Sequence, residues 1–215
     1  MKNEGVPIVK EGLPFLLIAL VAALAFWLGG LWPIGLFFLA LSAFIAFFFR
    51  NPERLAPVGA HLVCSPADGK VIFVGPAKEN EFIKEEMQKV SIFMSLWNVH
   101  VNRVPIDATV KNIKHHRGRF MAAFEDRASE ENERNCMLLE TGKGVKIVLV
   151  QVAGLVARRI VCYPSIGSFL LKGQRFGLIR FGSRCDIYFP KDAHILVKLG
   201  EHVLGGETLL AELKG

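Results

Sequence analysis

A serine behind a glycine, a histidine within a strand-like run and an aspartate before a glycine are the residues of this chain best suited to making and breaking bonds. Ser183 lies in Arg180-Phe181-Gly182-Ser183-Arg184-Cys185-Asp186. Most Gly-Ser pairs are plain turns. If the chain strains the peptide bond between them, however, Ser183 Oγ can attack the Gly182 carbonyl and convert the amide to an ester. Glycine suits the upstream side, because without a Cβ it lets the nucleophile approach closely. β-Elimination would then leave dehydroalanine, which hydrolyses to a pyruvoyl group. Such a ketone can form a Schiff base with an amine and act as an electron sink. Asp68 lies in Cys64-Ser65-Pro66-Ala67-Asp68-Gly69-Lys70-Val71, which taken alone is an Asp-Gly turn before a strand. His100 lies in the run Trp97 to Pro105, where the ordinary role is a core histidine satisfied by hydrogen bonds. An acid, a base and a serine thus follow one another along the chain, although such groups are recognised by geometry and not by order.

Other polar groups read less sharply. Arg158 and Arg159 could hold a phosphate, since the guanidinium is a planar fork, or could belong to an exposed charged face. His115-His116 with Arg117 and Arg119 reads as a basic patch facing a membrane. Glu130, Glu131 and Glu133 with Arg134 read as a solvated or salt-bridged helix end. No metal site is expected, because the i, i+4 histidine pair of zinc helices is absent. Cys64, Cys136, Cys162 and Cys185 show no CxxC pairing and are read as reduced, mostly buried thiols in a cytosolic compartment.

These groups need a scaffold, and composition divides it in two. Mean hydropathy is +0.36, and no charged residue occurs from Leu13 to Phe49. Two apolar runs, Leu13 to Leu28 and Leu31 to Phe49, are interrupted by Gly29-Gly30 and then Trp32-Pro33, which favours a break over one continuous helix. Lys2 and Lys10 precede the pair and Arg50 and Arg54 follow it, so both ends are expected in the cytoplasm. Residues 1–50 are read as a helical hairpin that spans the bilayer twice or dips into one leaflet. A buried core hairpin and a cleavable signal peptide are the competing readings. The net charge of +6 belongs to the rest of the chain. A basic domain beside a bilayer suits an anionic lipid surface, although charge alone does not exclude nucleic acid.

Residues 51–215 read as mostly β, with strands expected over Val90–Asn102 and Val145–Ala153, the second introduced by the turn Thr141 to Gly144. Asn80–Lys89 reads as a short helix or loop, and Arg119–Arg134 could hold a helical stretch. A weak echo between Lys172–Phe176 and Leu199–Val203 suggests the β-hairpin units of a lipoyl- or biotinyl-like sandwich. The fold class expected is therefore α+β, mostly β, behind a hydrophobic helical hairpin.

Taken in order, SPADGKV (65–71), NVHVNRVP (98–105), ASEENERN (128–135), AGLVARRIV (153–161) and Gly182-Ser183-Arg184 with Asp186 resemble the short prokaryotic, archaeal-type form of phosphatidylserine decarboxylase. The resemblance implies self-cleavage between Gly182 and Ser183 into a β chain, 1–182, and an α chain, 183–215, that stay together as a heterodimer, with a higher oligomer left open. It implies a pyruvoyl cofactor made from Ser183 and decarboxylation of phosphatidylserine to phosphatidylethanolamine at the cytoplasmic face of the cell membrane. The partners implied are an anionic phospholipid and the membrane, not nucleic acid. Catalytic roles fall on Ser183, His100 and Asp68, and substrate contacts on Arg158, Arg159 and Arg103. Two departures bear on those roles. Arg184 stands where longer members carry Ser or Thr. Arg103 stands where they carry a second histidine, if the alignment is made on Pro105. His100 then matches the histidine linked to decarboxylation, whereas alignment on the Val-His pair reverses the roles. Rival readings are the same chemistry on an ether lipid, a zinc peptidase, and a membrane-anchored lipoyl-like adaptor with no activity.

Overall fold

The computed structural model describes residues 5–118, 132–154, 159–180 and 182–214. The chain divides into two units, Met1–Glu53 and Arg54–Gly215.

In the first unit the two apolar runs become helices α1 (Leu13–Leu28) and α2 (Trp32–Phe48), each with a proline in its first turn, where a missing N–H is harmless. Between them Gly30 adopts φ +76°, the left-handed conformation that ends helices and that glycine takes at little cost. The helices meet through small residues. Ala19, Ala23, Gly35 and Ser42 are buried, and a Cβ on Gly35 would lie 3.1 Å from the Ala23 carbonyl oxygen. Such close backbone approach is how helices pack where hydrophobic contrast cannot drive them together. Leu17, Ile18, Val21, Leu24, Phe37 and Leu39 point outward and are exposed. The stretch Lys10–Leu28 is long and apolar enough to cross a membrane. Its 19 residues span about 28 Å at 1.5 Å each, against roughly 30 Å of hydrocarbon.

The second unit is built from strands β1 (Leu62–Cys64), β2 (Gly69–Lys78), β3 (Glu86–Met94), β4 (Val101–Arg103), β5 (Ala108–His116), β6 (Arg134–Glu140), β7 (Lys146–Val152), β8 (Ile160–Cys162), β9 (Phe169–Leu170), β10 (Arg175–Ile179), β11 (Ser183–Phe189), β12 (His194–Ile195), β13 (His202–Val203) and β14 (Leu209–Glu212). Among the described residues these form a large sheet in the order β13-β2-β3-β11-β7-β6-β5-β9 and two small sheets, β4-β10-β8 and β1-β14-β12. The main core lies on one face of the large sheet, where Val90, Ile92, Met94, Ile147, Leu149, Cys185, Ile187 and Phe189 are fully or almost fully buried. The alternate residues of the same strands, with Cys136, Val148, Val150 and Tyr188, make a smaller cluster on the other face. The mostly β body and the paired N-terminal helices agree with the fold class expected from the sequence.

Local differences have local causes. Val90–Asn102 is not one strand. β3 stops at Met94 and β4 starts at Val101 in a different sheet. The break is a turn in which the Ser95 N–H and hydroxyl both donate to Asn98 Oδ1, at 2.9 and 2.7 Å. Asn80–Lys89 is a loop leading into β3, wrapped around the Glu79 carboxylate, which accepts the N–H groups of Glu81, Phe82 and Ile83. The helix considered for Arg119–Arg134 falls largely on residues 119–131, outside the described residues, while Arg134 opens β6. The echoed segments are turns, with φ +78° at Gly173 and +91° at Gly200.

Candidate active site

The chain passes repeatedly between the large sheet and the β4-β10-β8 sheet, and two of these crossings, β3 to β4 and β10 to β11, lie side by side. It leaves the large sheet at Met94, turns through Ser95–Asn98 and enters the small sheet at Val101. It returns from Ile179, at the end of β10, to Ser183, at the start of β11. Register ties the crossings together at both ends. Ser183 pairs with Met94, Leu178 pairs with Val101, and the Ile179 N–H donates to the His100 carbonyl at 3.4 Å. The fold thus gathers the serine and the histidine, far apart in sequence, at one seam between two sheets.

Ser183 is completely buried. Its hydroxyl contacts the Met94 sulfur at 3.5 Å, a weak acceptor, so it is not engaged by a strong one there. Gly182 before it has φ +59°, with no atom within 4 Å of where a Cβ would stand. The conformation favours glycine, and the space around it is open. His100 is buried, with Nδ1 3.0 Å from the Asn98 carbonyl. A carbonyl can only accept, so Nδ1 carries the proton and the neutral ring keeps its basic lone pair on Nε2.

Asp68 is placed otherwise. Its carboxylate is gripped by the Arg54 guanidinium, with Nη2 to Oδ2 at 2.7 Å, and accepts the Gly205 N–H at 2.8 Å. Burial alone would lower the Arg54 pKa, but Asp68 and Glu207 outweigh it and raise it. The role of Asp68 in these contacts is to fix the Ser65–Asp68 turn, whose Pro66 carbonyl takes the Arg103 N–H at 2.8 Å. Arg103 is buried and its guanidinium donates to the Gly173 carbonyl at 3.0 Å, so it braces the turn ahead of β10. Arg159 is exposed, and its carbonyl accepts the Arg180 N–H at 3.4 Å, beside the second crossing. Arg158 and Phe181 lie outside the described residues.

Behind β11 the chemistry changes. Arg184 and Asp186 alternate with the core residues and face a cavity of about 340 Å³ lined also by Lys89, Ser91, Arg134 and Tyr188. Asp186 binds Arg184 Nε at 2.9 Å and Lys89 Nζ at 3.2 Å. Burial pushes its pKa up, but the two cations and the Ser91 hydroxyl outweigh that and hold it below the usual carboxylate range. Nearby, His116 and Lys114 pair with Glu81, and His115 pairs with Glu133. The expected basic patch is therefore partly neutralised. The four cysteines are free, and burial raises each thiol, Cys136 to about 12.

Sequence reasoning passed over a line of buried amides on the serine side of the large sheet. Asn135 Nδ2 donates to Gln151 Oε1 at 3.2 Å, and Gln151 Nε2 donates to Asn102 Oδ1 at 2.9 Å. Asn102 Nδ2 then meets the same Met94 sulfur as Ser183, at 3.7 Å. The signal was present in Gln151, a single polar residue inside the apolar run Ile147 to Ala153.

Comparison with known proteins identifies relatives of the chain. The model of the phosphatidylserine decarboxylase family matches residues 41–211. The phosphatidylserine decarboxylase proenzyme of Geotalea uraniireducens is 50% identical over 99% of this chain and 100% of its own length. Those of Geobacter sulfurreducens and Nitratidesulfovibrio vulgaris are 48% and 46% identical, over 99% and 98% of this chain and 100% and 97% of their own lengths. With that family model matching most of the chain and relatives of about half identity matched over nearly its whole length, the chain belongs to the phosphatidylserine decarboxylase family.

Proposed function

We propose that this chain is a proenzyme that cuts itself between Gly182 and Ser183 and then decarboxylates phosphatidylserine to phosphatidylethanolamine. The observation that carries this reading is the seam, where His100 and Ser183 sit on adjacent crossings and the serine hydroxyl meets, among the described residues, only the weakly accepting Met94 sulfur.

In this reading Ser183 Oγ attacks the Gly182 carbonyl while His100 Nε2 takes the hydroxyl proton. The cofactor is the pyruvoyl group that forms from Ser183, and it supplies the electron sink for loss of carbon dioxide from the serine head group. The residues present suit such a group, since position 183 is buried away from water and follows a glycine in a left-handed turn. After the cut, His100 returns a proton to the product carbon. Arg159, exposed beside the crossing, and Arg158 bind the lipid phosphate. Asp68 acts at one remove, through Arg54 and the turn that carries Pro66. The α and β chains remain together, and the apolar helices hold the enzyme on the cytoplasmic face of the cell membrane.

The purified protein and a Ser183→Ala copy, compared by denaturing gel and intact mass, test the reading. It requires a 183–215 fragment with a blocked, carbonyl-bearing amino terminus from the parent and one intact chain from the variant. It also requires carbon dioxide release from phosphatidylserine in detergent by the parent alone. Intact chains in both samples would favour the inactive adaptor.

A further inference from the structure

The line of buried amides has a direction. Asn135 stands at one end and donates to Gln151. Gln151 accepts from Asn135 at its oxygen, and its Nε2 donates to Asn102 Oδ1 at 2.9 Å and to the Val161 carbonyl at 3.5 Å. Asn102 is therefore held with its oxygen toward Gln151 and its N–H group toward the Met94 sulfur, which the Ser183 hydroxyl also contacts. Asn135, Gln151, Asn102, Met94 and Ser183 are all buried. A buried amide N–H normally finds a strong acceptor, yet this one rests on a thioether, one of the weakest acceptors in a protein. A strong donor, pre-aimed and under-used at the same sulfur that a nucleophile contacts, is suited to stabilise charge appearing only during reaction.

We propose that Asn102 is the hydrogen-bond donor to the oxyanion of self-cleavage, and that Gln151 and Asn135 are positioning residues that fix its orientation. The inference rests on the self-cleavage reading above. When Ser183 Oγ bonds to the Gly182 carbonyl carbon, its proton passes to a base and the carbonyl π pair moves onto oxygen. The Asn102 N–H leaves the Met94 sulfur for that oxygen. Collapse of the adduct restores the carbonyl and breaks the bond to the Ser183 nitrogen, which takes up the proton. The product is an ester between Gly182 and Ser183 Oγ with a free amine on residue 183. No redox partner is needed.

The test is a time course of cleavage of the freshly synthesised full-length chain, with and without hydroxylamine, which splits an ester but not an amide. Asn102→Ala should slow appearance of the 183–215 fragment about 10²- to 10³-fold, the usual loss for one oxyanion donor. Hydroxylamine should not restore it, because the slow step precedes the ester. Gln151→Glu keeps the size but cannot donate once ionised. Its cleavage should be slow at pH 8 and recover toward the parent rate as acid protonates the new carboxyl, a profile that loss of packing would not produce. Either variant cleaving at the parent rate throughout would overturn the proposal. So would an Asn102→Ala chain that accumulates hydroxylamine-sensitive ester, which would place Asn102 after the acyl shift. If Asn102→Ala fails to fold, the Gln151→Glu profile decides alone. Failure of the parent itself to cleave would instead sink the underlying reading.

Discussion

Replacing Asp186 by Asn should destabilise the β unit more than most single substitutions while leaving its shape intact. The carboxylate is 1% exposed and holds Arg184 and Lys89, themselves 3% and 11% exposed, at 2.9 and 3.2 Å. The amide keeps the volume but leaves two buried cations without their counter-charge, and breaking such a pair costs about 3–5 kcal/mol. At about 2–4 °C per kcal/mol for a domain of this size, the melting temperature should fall by roughly 6–20 °C. The measurement belongs in a Ser183→Ala background, so that unfolding concerns one chain. Lys89→Met added to Asp186→Asn should recover part of the loss by removing one of the stranded charges. The pH dependence has a definite sign. Asp186 is held below its unfolded pKa of about 3.9, so its contribution is complete above that value and is lost only as pH falls through the lower folded pKa. The gap between parent and variant should therefore be full at pH 7 and pH 5 and narrow only in stronger acid. A gap absent at pH 7, or one that shrinks between pH 7 and pH 5, would refute the reasoning.

Gly69→Ala should be severe, since its Cβ would stand 2.1 Å from the Phe93 carbonyl oxygen, whereas Gly144→Ala meets nothing within 4 Å and should cost only the 1–2 kcal/mol or so of a left-handed backbone, both read by thermal melting. Arg54→Ala and Asp68→Ala should lower the melting temperature by similar amounts, because each strands the other. Cleavage lost in Asp68→Ala but normal in Arg54→Ala would instead assign Asp68 to chemistry. Cys162 is the one partly exposed cysteine, so a thiol reagent applied to the native protein at pH 8 should label it well before Cys64, Cys136 and Cys185, as peptide mass mapping would show.

Much of this layout could be read from the chain, and the rest has physical reasons for having been hidden. The helical pair announced itself through uninterrupted apolar runs and a Gly-Gly break, since both are local signals. Ser183, Gly182 and His100 stood in recognisable motifs, but their meeting depends on the pairing of β11 with β3 and β10 with β4, which no local pattern encodes. Asp68 illustrates the converse. Its motif suggested an acid for His100, and the fold turns the carboxylate to Arg54, fourteen residues upstream. The split of Val90–Asn102 was hidden because the turn is set by one side chain, Asn98, within a run whose composition stays strand-like. Gln151 was visible only as an oddity, since its partner Asn102 lies 49 residues away.

The position of β11 has a consequence for the enzyme's history. Of the segments after the proposed cut, β11 lies between β3 and β7, β14 pairs with β1, and β13 pairs with β2, all of which precede residue 182. Severing the chain at Gly182 would thus part a thread inside a finished weave, and the two pieces would still move as one molecule. What the cut removes is the way back. An uncut chain that unfolds can refold by itself, whereas the severed pieces would have to find each other by diffusion, and more slowly the more dilute they are. The mature protein would then persist by the slowness of its unfolding and not by the reversibility of its folding, a single-use structure assembled while whole and committed once divided.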